Sequence, residues 1–484
     1  MVTTVWIVSI IYLIAMLAIG MAVSKKGSAS FDDYAIAGKS LPFYLIMWTF
    51  LATVWGAADF IGSPDEGYHR GISWIAWTLG SEGGKIVFAL TLAGFLARFS
   101  FKSMGEFMDN VVAKDKTSRI VIGLLTGFVA AGWTGAQSMA IGQIFSVFTG
   151  TDSTLMIIIA SAVFIFYTMS GGLLSVVWTD VIQGLLIVAF AGFYWYYAFG
   201  MVDFSLATLT SKVMAAKPEL WSLTGASGSI PWLKLFTTFL TGIMGTFTMV
   251  CYWQRAFSAK DVPSARNAAL IGGIGTVLVS VISVFIGLIV FTVNPNLDTG
   301  VAPYLVKNFM PPWITVAMTL LVLAATMSSA DSLLNIAAII TVNDILMPLK
   351  PDVSDEQKVA ITKWVTLAWG VVGVICALKF KFILGLVGWL YSTAAGALAP
   401  AVIVGLLWRK PGEYIYDNSN ITPVALRYSL ILGTLTAIIA RQIKPLMDVF
   451  GGPVIPSSVV TIVLLFIISS ITKKETVSSR KIHV

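Results

Sequence analysis

Between Trp313 and Leu346 the chain runs Ala324-Ala325-Thr326-Met327-Ser328-Ser329-Ala330-Asp331-Ser332-Leu333-Leu334-Asn335, a hydroxyl-rich stretch inside an otherwise apolar segment. On a helix Ser328, Asp331 and Ser332 fall at i, i+3 and i+4 and share one face. Hydroxyls and a carboxylate on one face are hard oxygen donors, which suit a hard cation. At 1.5 Å per residue Ser328 lies about 22 Å from Trp313, near mid-membrane if the segment spans one. An ionisable group at that depth costs roughly 3 kcal/mol or more, so Asp331 requires an ion, a partner or water. Small and hydroxyl residues also let membrane helices approach closely. The run therefore reads as a packing face or an ion site, and Asp331 tips it toward the second.

Four more charges interrupt apolar stretches. Asp59 follows Gly56-Ala57-Ala58, a poor helix interior that reads as a break whose freed carbonyls line a polar cavity. Glu82 and Lys85, at i and i+3, are either a mutually neutralised pair or part of a solute path. Asp180 lies about 9 Å beyond Leu174, in the half of the membrane where Asp331 also falls, so the two carboxylates can approach one another. His69 and His483 are too few and too far apart for a histidine-based metal or nucleophile site. Cys251 and Cys376, both in apolar spans, give no disulfide framework and no metal spacing. No nucleophile-and-base arrangement is present, so an enzyme is not expected.

The elements that must position these groups are membrane helices. Of 484 residues 57% are hydrophobic and 11% charged, the composition of an integral membrane protein. The net charge of +7 marks cytoplasmic loops rather than a nucleic-acid surface. Apolar periodicity gives about 13 transmembrane helices in a single polytopic domain, residues 1–472, with a tail over 473–484. The first, at about 4–23, has no basic start or cleavage site and is not a signal peptide. Lys25, Lys26, the cluster Arg98 to Arg119, Arg255, Lys260 and the basic tail put the amino terminus outside and the carboxyl terminus in the cytoplasm of a cell-membrane protein. Lys379 and Lys381 fall in an expected outer loop, against the rule. Asn420-Ile421-Thr422 is a glycosylation sequon on the cytoplasmic side, where it cannot be used.

The span opening near residue 44 and that opening near 231, with Gly242, Gly245 and Thr246, are both weakened at mid-length. Counted from these, two blocks of five spans, about 44–200 and 231–409, begin on opposite membrane sides. Peripheral helices stand at 4–23, 424–439 and 455–471. That is the layout of a 5+5 inverted-repeat transporter with its sites at the repeat interface.

Four stretches then carry a resemblance. Asp33-Tyr34-Ala35-Ile36-Ala37-Gly38-Lys39-Ser40-Leu41-Pro42, Gly171-Gly172 through Trp178-Thr179-Asp180-Val181-Ile182-Gln183, Tyr252-Trp253-Gln254-Arg255 with Ala259-Lys260, and the serine run resemble, in order, segments of the sodium:solute symporters. The resemblance covers about residues 5–472 and implies an all-α LeuT-type fold. It implies one sodium ion held by the carbonyls of Ala52, Trp55 and Ala325 and the hydroxyls of Ser328 and Ser329. Some members have a second ion site, which maps to Asp180, Ser328, Asp331 and Ser332; Val54 stands there in place of a hydroxyl, so the count is one or two. A substrate pocket carried over by position takes in Gly56, Asp59, Ser81, Glu82, Trp133, Gln137, Thr246 and Tyr391.

The expected function is sodium-coupled symport of a small organic solute by alternating access. Asp59 near Trp55 and Trp133 points to an amine-bearing or zwitterionic substrate, unless it pairs with Lys85. A sensor on the same fold, a proton-coupled carrier and a channel are the alternatives. The lipid bilayer is the one obligatory surrounding; no nucleic acid or protein partner is indicated.

Overall fold

The computed structural model describes residues 2–27, 29–169, 172–225, 228, 230–410 and 419–472. Gly171 and the tail lysines and arginine, Lys473, Lys474, Arg480 and Lys481, lie outside the described residues, as do the side chains of Lys25 and Lys26. Among the described residues the chain is nearly all helix, with two isolated β-bridges, Leu41 to Ala259 and Arg409 to Ser419.

Among the described residues ten helices are long and apolar enough to cross a membrane, and Trp232–Thr248 with Val250–Ser258, bent by 41°, makes an eleventh. Two further apolar helices, Phe43–Val54 and Ser153–Phe166, are shorter, and the expected count of about thirteen is reached only when both are added. Phe43–Val54 is the inner half of the first broken span. After non-helical residues at Trp55 and Gly56 the chain resumes as Ala58–Gly62 and Ser63–Arg70. Gly71, at φ +61°, then turns it into Ile75–Phe88.

The serine-bearing helix, Pro312–Ile340, stands at the centre. In its most apolar window 83% of residues are buried, against 28% in Val2–Val23 and in Val454–Ile471, which are peripheral. Those outer helices turn Ile7, Ile11, Ile14, Val459 and Ile467 outward, as a lipid-facing surface requires. Core packing relies on close backbone approach. A Cβ at Gly67 would lie 2.3 Å from the Val284 carbonyl oxygen, and one at Gly287 would lie 2.2 Å from that of Pro64. The outer half of the broken span is thus seated directly on Val262–Val293.

Ion pairs join loops expected on the same side. Lys102 meets Asp32 at 3.0 Å and Arg427 meets Asp115 at 2.5 Å among the expected inner segments. Lys381, which broke the charge rule, is paired with Asp298 of the neighbouring outer loop, so its charge is locally neutralised. The inner ends of the two broken spans are tied together: Leu41 N–H donates to the Ser258 carbonyl at 3.1 Å, and Lys260 N–H donates to that of Leu41 at 3.0 Å.

Two expectations need correction. The second broken span departs from helix at Met249 (φ −75°, ψ 102°), not at its glycines, because Gly245 serves to admit the Tyr391 ring; a Cβ there would meet that ring at 1.9 Å. Arg255, read as a marker of a cytoplasmic loop, lies in the helix beyond that bend and is 1% exposed. Gly67→Ala should cost about 1–3 kcal/mol through overpacking. The check is a melting curve in detergent, in which the variant loses several degrees relative to wild type.

Candidate functional site

Breaking a helix inside a membrane leaves amide and carbonyl groups without partners, and each must find one nearby. At the first break the partners come from three other elements. Ser328 donates to the Ala52 carbonyl at 2.8 Å or, within its own helix, to those of Ala324 at 2.8 Å and Ala325 at 3.1 Å. Ser329 donates to the Thr53 carbonyl at 2.9 Å or to that of Ala325 at 3.0 Å. The Ala57 N–H donates to Gln137 Oε1 at 2.9 Å, and the Gly56 N–H to Asp59 Oδ2 at 3.2 Å.

Two hydroxyl protons thus face four distinct carbonyls between them. Each hydroxyl donates once, so the cluster is oxygen-rich and proton-poor. That donor set fits a hard monovalent cation such as sodium. Of the expected ligands, Ala52, Ala325, Ser328 and Ser329 are brought together. Trp55 closes the half helix at φ −91°, ψ 73°, the turn out of helix that frees the carbonyls of the last turn. The Thr53 carbonyl joins the cluster as well, and its position in the sequence gave no sign of it.

Beside it lies a narrow cavity of about 20 Å³ whose wall includes Gly56, Asp59, Glu82, Lys85, Trp133 and Gln137. Ser329 lines it too, so ion cluster and cavity share a side chain. Gly56 is what lets them touch: a Cβ there would lie 2.7 Å from Ser329 Oγ and 3.0 Å from Gln137 Oε1. Of the eight expected substrate residues five line this cavity. Ser81, Thr246 and Tyr391 stand behind the wall. Thr246 donates to the Ser81 carbonyl at 2.8 Å, and the Tyr391 ring packs on Trp133 with centroids 5.6 Å apart. Tyr252, Met249 and Cys251, which sequence reasoning left out, supply the wall from the second broken span.

The buried charges sort themselves. Lys85 pairs with Glu82. Asp59 accepts from Ser280 Oγ at 2.5 Å as well as from Gly56, and among the described residues no cation stands within 4 Å of it. Asp180, Ser332 and Asp331 do not line the cavity. Asp180 accepts from Thr49 and is 3.6 Å from the Arg255 guanidinium. Ser332 also contacts Arg255, at 2.5 Å, and Asp331 Oδ1 accepts the Ser332 N–H at 2.6 Å. Arg255, Thr49 and Thr53 are the members of this second cluster that the sequence did not single out.

Two broken helices flanking a serine-bearing helix, with a carbonyl and hydroxyl cluster beside a charged cavity, are the architecture of a secondary transporter of the LeuT type. Its family is given by residues 34–414, which match the sodium:solute symporter family; the chain belongs to that family and is a sodium-coupled carrier of small solutes, not an enzyme. It is similar to the osmoregulated proline transporter OpuE of Bacillus subtilis (strain 168), 26% identical across 98% of this chain and 96% of that one. It is also similar to the high-affinity choline transporter 1 of Caenorhabditis elegans, 23% identical across 75% of this chain and 65% of that one. A solved structure of a sodium-coupled sialic acid symporter, described as substrate-bound and outward-open with a novel sodium site, superposes with a TM-score of 0.77. It is 21% identical and covers 97% of this chain and 98% of that one, a likeness of fold.

Removing both hydroxyls of the cation cluster, Ser328→Ala with Ser329→Ala, should raise the half-saturating sodium concentration at least about tenfold, the equivalent of about 1.4 kcal/mol. Uptake into proteoliposomes across a sodium titration is the measurement. An unchanged half-saturation and rate would remove these serines from the site.

Proposed function

We propose that the chain carries a small zwitterionic or amine-bearing solute into the cytoplasm together with sodium held by Ala52, Trp55, Ala325, Ser328 and Ser329. The amino terminus lies outside and the carboxyl terminus inside, as the distribution of basic loops requires. Sodium binding joins the inner half helix Phe43–Val54 to the serine helix. The solute then completes the cavity, and rocking of the broken-helix bundle against the other helices opens it inward.

The observation that carries the solute class is the Asp59 carboxylate. It lines the cavity, it is 3% exposed, and its two oxygens take only neutral donors, Ser280 Oγ and the Gly56 N–H. The rival use of Asp59 is as a partner of Lys85, which is in contact with Glu82 but whose charge also acts on Asp59 across the cavity. A cationic nitrogen from the solute meets the need of a buried anion. Trp133 and Tyr252 offer ring faces in the same wall. Proline and choline, named for two relatives, both carry a positively charged nitrogen.

Asp59→Asn keeps size and hydrogen bonding but removes the charge. Losing one partner of a desolvated pair costs about 2–5 kcal/mol, so solute affinity should fall at least about thirty-fold. A thermal-shift screen of amine-bearing metabolites with and without sodium supplies the ligand. Affinity is then compared in purified wild type and variant at saturating sodium. Intact affinity with a lowered melting temperature would sink the contact and leave Asp59 a structural group.

A further inference from the structure

One end of the Arg255 guanidinium is crowded by oxygen. Its Nη2 lies 2.5 Å from Ser332 Oγ, 2.9 Å from Thr53 Oγ1, 3.2 Å from Thr49 Oγ1 and 3.6 Å from Asp180 Oδ2. These four oxygens come from three helices: Phe43–Val54, Gly172–Gly200 and Pro312–Ile340. Most of their protons are spent elsewhere. Thr49 donates to Asp180, and one of Thr53 and Ser332 donates to the other at 3.1 Å, which accounts for two of the three hydroxyl protons and leaves lone pairs facing the nitrogen. A nitrogen with two N–H bonds cannot serve four acceptors well. The set is the coordination shell of a compact cation, filled by a tethered one. The other guanidinium nitrogen, Nη1, is held by Gln254 Oε1 at 3.1 Å, and Gln254 in turn donates to the Ala35 carbonyl at 2.8 Å.

We propose that Arg255 is the built-in cation of this cage, and that it fixes the sodium count of the transporter at one. The guanidinium is tethered by its own side chain, so it does not exchange with ions from solution. A metal ion among the same oxygens would sit beside that fixed charge in a medium of low dielectric, where like charges repel strongly. The residue sets stoichiometry and also positions the sodium cluster. Thr53 gives its hydroxyl to Arg255 and its carbonyl to Ser329, so one residue borders both cations. The proposal rests on the reading of the chain as a sodium symporter with its ion at Ser328 and Ser329.

Deleting the tethered cation leaves Asp180 and three hydroxyl oxygens facing an uncompensated space. Sodium should then enter. The test counts radiolabelled sodium bound per purified full-length protein at saturation, by scintillation proximity in lipid nanodiscs. The expected counts are one for wild type, two for Arg255→Met, one for Arg255→Lys, whose ammonium refills the cage, and one for Arg255→Met combined with Asp180→Asn. Two ions in wild type, or a single ion in a monodisperse Arg255→Met protein, would overturn the proposal. Should Arg255→Met fail to fold, the count is taken on Arg255→Gln, where two ions are expected and a single ion would overturn the proposal. No bound sodium in wild type would sink the symport reading instead, and the gain of one ion on Arg255→Met would remain the test of the cage.

Discussion

The obligation to satisfy every backbone group inside a membrane governs this molecule more than any single contact. A continuous helix meets it internally; a broken one does not. The chain breaks Phe43–Val54 from the helix beyond it at Trp55 and Gly56, and the exposed groups are met by Ser328, Ser329, Gln137 and Asp59. These are also the side chains of the ion cluster and of the cavity wall. The second break obeys the same rule, with Trp253 Nε1 donating to the Phe247 carbonyl at 2.9 Å. Side chains that repair the break are therefore held in place by the repair, which pre-organises the site without added cost in conformational freedom.

From that constraint the proximity of the two sites follows. Ser329 and Gln137 each face the broken backbone and the cavity at once. A change in how Ser329 is coordinated is felt at Gly56, where there is no room for even one added carbon. Linkage then makes the effect of one ligand on the other reciprocal. The Arg255 cluster extends the same contact chain inward through Thr53, and the bridge at Leu41 joins the inner ends of both broken spans. The inner half helices are thus held to each other and to the serine helix by polar contacts as well as by apolar ones such as Phe50 on Tyr252, with ring centroids 5.3 Å apart.

What the sequence revealed was whatever departs from apolar monotony at a fixed place. The serine run and Asp59 stand out because a membrane segment has no ordinary use for them, and the structure brings both to the first break. Less legible was anything that depends on where a helix bends. Arg255 sits at the end of an apolar span among basic residues, and the charge rule alone assigns such a residue to a loop. The bend at Met249 carries no glycine or proline to announce it, yet it draws Arg255 inward. Ser81, Thr246 and Tyr391 had suitable chemistry and suitable helices, but rotation about the helix axis puts them one layer behind the cavity. That rotation is set by packing of Tyr391 on Gly245, a contact distant in sequence.

In the proposed mode of binding, the charges explain why ion and solute need one another. The cavity wall has two acids, Asp59 and Glu82, and one base, Lys85. It therefore carries an excess of one negative charge when all three are ionised, while the sodium cluster next to it is built from neutral oxygens. A sodium ion there supplies the missing positive charge without touching Asp59. With sodium present the neutral combination is reached by a solute of zero net charge whose ammonium lies on Asp59, so a zwitterion is favoured over a simple cation. Without sodium the zwitterion leaves the wall negative, and burying an uncompensated charge at mid-membrane is costly. Electrostatic balance in a poorly solvated space is then enough to couple the two, with no need for the solute to touch the ion.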